Sequence, residues 1–416
     1  MRAREVESEQ RVTHLELFFD LVFVFAITQV TGFLAEHSTW DGLLRGLFLL
    51  GALWWAWAAY AWLTNTLDPE EGAVRIAMFA SMASMLVVSL AVPHAFDVDG
   101  VVFGIAYFIV RALHLVLYAI AGRNDPDLER AVLRILPSAL LGAALIVVAG
   151  FFEGAVQLAI WAVALAIDYL WLLVTGMRGW RISPEHFVER HALILIVALG
   201  ESVVAIGIGA AGLPLDAGTI AAVLLGITVI CALWWSYFDW VIYVSQARLA
   251  DATGTERAVL ARDLYSYLHL PMVAGIVLFA LGLEETIAHF ATPLGIIPAV
   301  GLSGGLALYF AGHVALRLRQ GGGWGHGRPV ATIVLLALIP VVTRVPALTA
   351  LALVAAVCAA LIAYEALRYP YARSWIRSHR GAFTMEEVSE IAPVRGRSPD
   401  AQPTSSDPNS GRPAGR

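Results

Sequence analysis

Three ionisable residues stand where apolar sequence should exclude them. Asp20 lies in the run 14–34, Arg111 in 100–121 and Glu201 in 191–212, each long enough to cross a lipid bilayer. A charge at that depth is costly unless paired or wetted, so each is either one half of an ion pair or helix-to-helix hydrogen bond, or a group that binds and passes an ion. A carboxyl group in low dielectric can exchange protons near neutrality, which is the chemistry of a relay. Glu16 precedes Asp20 by four residues, placing both on one helix face. At ~1.5 Å per residue Asp20 sits about 9 Å inside its run and Glu201 about 15 Å, near the midplane. Tyr107 and His114 share the face of Arg111. Asp168, Asp239, His269 and His313 lie nearer the ends of their runs, where side chains can reach the interface. The candidates for an ion pathway are therefore Glu16, Asp20, Arg111, His114, Glu201 and His313.

Other chemistries lack their residues. All 27 basic residues are arginine, which removes lysine Schiff bases and the P-loop lysine. Cys231 and Cys358 each sit alone in apolar sequence, so no disulfide framework or CxxC metal site is expected. Gly207, Gly209 and Gly212 spell GxGxxG but follow no strand, and helix packing through small residues is the simpler reading. His186 and His191 flank Glu189 without forming HExxH. Gly200-Glu201-Ser202 lacks the second glycine of a nucleophile elbow. The expectation is a protein that is not an enzyme and holds no cofactor or metal.

The elements that position these residues must be membrane helices. The 416 residues are 59% hydrophobic and only 14% charged, with a mean hydropathy of +0.73; a soluble fold leaves too much surface wet to hide that fraction. Spans of roughly 20 apolar residues are expected at about 14–34, 43–63, 74–93, 100–121, 132–151, 154–175, 191–212, 219–244, 267–288, 294–316, 330–344 and 347–367. The eleventh is short and carries Pro340 and Arg344. The first run holds Asp20 and lacks a small-residue cleavage site, so it is expected to stay in the chain. With both termini inside, 24 arginines fall on the inner side and two, Arg45 and Arg344, outside, the bias that sets orientation in bacterial membranes. A net charge of -6 with scattered arginines argues against nucleic acid. The expected partners are the lipid bilayer and an ion or small solute.

Leu53-Trp54-Trp55-Ala56-Trp57 and Leu233-Trp234-Trp235-Ser236-Tyr237 match at an offset of 180 residues, and Phe19-Asp20-Leu21-Val22 lies opposite Gly200-Glu201-Ser202-Val203 at 181. Tyr107-Phe108 and Tyr309-Phe310 match at 202, which sets Arg111 opposite His313. Six spans per copy is even, so the expected fold is an all-α bundle of about twelve transmembrane helices in two parallel six-helix repeats. Its parts are a cytoplasmic N-terminal segment 1–13, repeat one 14–175, a linker 176–190, repeat two 191–367, and a cytoplasmic tail 368–416 disordered after about 380. Spans one and seven are expected to face the centre, bringing Glu16, Asp20 and Glu201 towards Arg111 and His313.

His14-Leu15-Glu16-Leu17-Phe18-Phe19-Asp20-Leu21-Val22-Phe23-Val24, with Glu189-Arg190-His191 and Ala198-Leu199-Gly200-Glu201-Ser202, resembles the bacterial low temperature requirement protein A family across nearly all the spans. The resemblance implies a multi-pass inner-membrane protein, linked by name to growth in the cold. The first span is also similar to the first helix of lysosomal-type potassium channels carrying a phenylalanine-serine-aspartate motif, whose units have six helices and whose first helix lines the pore. That similarity implies Phe18 and Asp20 at the motif's ends and Ile27 as a pore constriction. The chain departs from it with Phe19 for the serine, His14 for the preceding arginine, and Leu199-Gly200-Glu201 in the second copy. A central pore of four such helices would require a homodimer.

Overall fold

Four helices start at side chains that accept otherwise orphaned amide protons. Thr13 opens α1 (His14–Glu36) with a capping box. Its hydroxyl accepts from the Glu16 amide at 3.3 Å, and the Glu16 carboxylate accepts from the Thr13 amide at 2.9 Å. Thr39 caps α2 (Trp40–Thr64) in the same way. Asp125, followed by a proline in the first turn, opens α5 (Pro126–Ala149). Asp216 caps α8 (Ala217–Asp251) by accepting from the Thr219 amide at 2.8 Å; that bond holds its carboxyl below the usual carboxylate range.

The computed structural model describes residues 12–379 and 383–387. The remaining elements are α3 (Gly72–His94), α4 (Gly100–Gly122), α6 (Gly154–Thr175), α7 (Pro184–Ala210), α9 (Gly254–Ala288) and α10 (Ile296–Arg319). They are followed by α11 (Gly327–Val342), α12 (Ala347–Arg368) and α13 (Pro370–Ser378). The described residues form an all-helical polytopic bundle without strands. Eleven helices are long and apolar enough to span a membrane, one fewer than the twelve expected. The difference is α11: its 16 residues reach about 24 Å at ~1.5 Å per residue, short of a ~30 Å core. The expected disorder of the tail falls, apart from 383–387, on residues outside those described.

Enclosure differs strongly between the helices. α2, α9 and α10 are the most enclosed, with 83%, 78% and 72% of their apolar windows buried against 50% for both α1 and α7. Two contacts explain this. Trp54 donates to the Ser266 carbonyl at 2.7 Å and Trp62 to the Ser266 hydroxyl at 2.9 Å, tying α2 of the first half to α9 of the second. Ser266 lies in the π-helical stretch Arg262–Tyr267 that widens α9. α9 and α10 then meet through glycine. A Cβ on Gly275 would lie 2.5 Å from the Gly305 carbonyl oxygen, and one on Gly305 2.6 Å from that of Gly275. Gly275→Val is expected to force the pair apart at a cost of ~1–3 kcal/mol, read as a lower midpoint of thermal unfolding in detergent. Gly209 packs equally closely against the Glu284 carbonyl, so at that position the GxGxxG pattern serves helix contact.

Two tyrosines hold corresponding places in the two halves. Tyr107 of α4 donates to the Ala52 carbonyl of α2 at 3.3 Å, and Tyr309 of α10 donates to the Leu233 carbonyl of α8 at 2.8 Å.

Candidate functional site

The buried ionisable residues form separate clusters rather than one central site. In the first, Asp20 is saturated: Trp57 donates to Oδ1 at 2.9 Å and Arg190 to Oδ2 at 2.8 Å. The same Arg190 nitrogen donates to the Glu16 carbonyl at 3.0 Å, and the guanidinium lies 5.7 Å from the Trp57 ring centroid. His186 reaches Glu16 Oε1 at 2.9 Å. Glu16, His186 and Arg190 are fully buried and Asp20 nearly so. Here α1 is clamped to the first turns of α7, with Glu16 both capping its own helix and pairing across. Trp57→Phe removes one charge-assisted bond and leaves Oδ1 without that donor. The expected cost is about 1.5–3 kcal/mol, measured as a fall in unfolding midpoint.

The second cluster is Glu201. Thr28 of α1 donates to Oε2 at 2.6 Å, and Oε1 is buried. Its environment consists of burial and the Thr28 and Thr31 hydroxyls, with no cation among its interactions within the described residues. The charged neighbour in electrostatic reach is another acid, the half-buried Glu284 of α9. Burying a carboxylate charge without a partner is expensive. A bound proton or cation would remove that cost.

Arg111 does not approach Asp20 or Glu201. It pairs with Asp168 of α6 at 3.2 Å, both side chains being almost wholly buried. His114, one turn further along α4, lines the same cavity. His313 is also elsewhere: its Nδ1 lies 2.7 Å from Arg328, which bonds Glu365 at 2.8 Å and the Ser236 carbonyl at 2.8 Å. The expected convergence of Glu16, Asp20, Glu201, Arg111 and His313 is thus corrected. Arg111 is held by Asp168 inside the first half, and His313 by the Arg328–Glu365 pair inside the second. Ile27 is packed in the core and Phe18 is exposed. No group of three or more metal-ligating residues occurs among the described residues.

Arg190, Trp57, Asp168, Arg328 and Glu365 complete these clusters and were absent from the sequence candidates. Arg190 was placed in a linker ending at 190 because hydropathy alone starts the span at 191. The helix begins at Pro184, and Ser183-Pro184 is the start signal that would have extended it.

The family model described as bacterial low temperature requirement A protein matches residues 11–363. An uncharacterized protein of Rhizobium meliloti (strain 1021) is 31% identical over 299 residues, covering 69% of this chain and 72% of the relative. No solved structure matches.

Proposed function

This chain belongs to the bacterial low temperature requirement A family, and on that premise we propose that it moves an ion or small solute, a proton or monovalent cation first, across the bacterial inner membrane. The observation carrying the reading is Glu201: a buried carboxyl on a spanning helix whose interactions are with the Thr28 and Thr31 hydroxyls, with no basic partner within the described residues. Thr28, Thr31 and Glu284 supply further oxygen ligands or proton acceptors beside it. Asp20 is assigned a structural role, because both its oxygens are occupied. The 24-to-2 arginine imbalance supports cytoplasmic termini. The matched tyrosines Tyr107 and Tyr309 each bond a carbonyl one position apart in the register of the α2 and α8 match, Ala52 and Leu233, and this supports two parallel repeats.

A passive cation channel is the second reading, favoured by one observation. α1 and α7 lie side by side, joined by the Thr28–Glu201 bond, and Gly32, Gly200 and Gly207 leave open space around their Cα positions. Two copies meeting on this face would bring four such helices around one axis. Potassium and proton flux into proteoliposomes, reported separately for wild type and Glu201→Gln, tests both. Flux that falls in the variant supports the assignment, and its dependence on a pH gradient separates coupled transport from a channel. Folded wild-type protein that carries neither ion defeats both readings and favours a non-transporting scaffold.

A further inference from the structure

We infer that the first half of the bundle holds a separate binding site for a short-chain monocarboxylate, in the cavity beside Arg111. The inference does not rest on ion movement at Glu201. A cavity of about 70 Å3 lies between α2, α4, α5 and α6, with walls that include Trp55, Trp62, Tyr118 and Trp180. Arg111 lines it and is 3% exposed. Its Nη2 donates to Asp168 at 3.2 Å, while Nε and Nη1 are buried without an acceptor. A guanidinium has no acceptor capacity and cannot shed its charge, so those N–H groups can be satisfied only by something that enters the cavity.

The shape of the site selects the occupant. A carboxylate oxygen makes the shorter, charge-assisted bond to guanidinium. The aromatic ring faces match a short apolar tail, while the Tyr118 hydroxyl and the Trp180 indole N–H, both buried on the cavity wall, offer further donors to a carboxylate beside Arg111. At ~10–15 Å3 for each water-sized position, the space suits an acid of about two to four carbons and excludes a fatty acyl chain. Asp168 already balances Arg111, so an incoming anion shares its countercharge, and binding is expected to be weak and sensitive to ionic strength.

The test is a titration of the full-length protein in detergent with sodium propionate, read by tryptophan fluorescence, since three tryptophans face the cavity. Sodium chloride controls for ionic strength, and propionamide serves as a neutral molecule of the same shape. A saturable response to propionate is expected, with propionamide at least tenfold weaker. The double variant Arg111→Gln/Asp168→Asn removes both charges together, leaving neither unpaired, and should weaken propionate at least tenfold. Ala59→Leu places a larger side chain at the cavity wall and should abolish the response while the thermal midpoint stays near wild type. Equal responses to propionate and propionamide, or none to either, would mean that water alone fills the cavity and would overturn the proposal. Unchanged propionate binding in both variants would place the ligand elsewhere and overturn it equally. Should the double variant fail to fold, Ala59→Leu and the amide comparison still decide.

Discussion

Arg190→Met is expected to destabilise the protein by about 3–5 kcal/mol, the cost of leaving a buried charge without its partner. The arginine is fully buried and bonds Asp20 at 2.8 Å and the Glu16 carbonyl at 3.0 Å. Methionine fills much of the volume and supplies none of the charge. Against a total stability of about 5–15 kcal/mol, such a loss removes a large share of the margin. The readout is the unfolding midpoint and the yield of monodisperse protein. Arg190→Met with Asp20→Leu should recover most of the loss, because removing a pair together is far cheaper than orphaning one member. Recovery would show that the Asp20 cluster is an anchor. If Arg190→Met folds as well as wild type, the Asp20–Arg190 pair contributes little and the structural assignment of Asp20 fails.

Glu201→Gln should do the opposite, keeping the fold and removing flux. Glutamine preserves the side-chain shape and an oxygen able to accept from Thr28, which lies 2.6 Å away in the native chain. It also ends the burial of a carboxyl that has no cation, so stability should hold or rise. What it cannot do is take up and release a proton or balance a cation. Losing a charged ligand costs about 1.5–3 kcal/mol, or roughly 10- to 150-fold in affinity at ~1.36 kcal/mol per decade. Flux should fall by a comparable factor. Unaltered flux through a folded Glu201→Gln protein would remove Glu201 from any pathway.

Much of this architecture is legible in the chain because lipid is a strict solvent. Runs of apolar residues have to be helices there, since no other backbone state satisfies its own hydrogen bonds. Composition and run length therefore anticipate the all-helical bundle and place most of its helices, α11 falling short because it ends at Val342 after 16 residues. The burial of Glu16, Asp20, Arg111 and Glu201 could also be anticipated, as a charge in a span must turn inward.

Partnership was decided by the tertiary structure alone. An isolated sequence assigns Arg190 to a basic loop and Trp57 to an aromatic run, yet the approach of α1, α2 and α7 makes both of them ligands of Asp20. It likewise sets α2 and α9 at the centre, because Trp54 and Trp62 meet a π-helical Ser266 more than 200 positions later in the chain. Periodicity reports which face of a helix turns inward, with no information on which other helix will be there. Whether a buried acid becomes an anchor, like Asp20, or is bonded by hydroxyls, like Glu201, depends on the side chains that arrive from distant segments. Those distances exist only once the helices have packed.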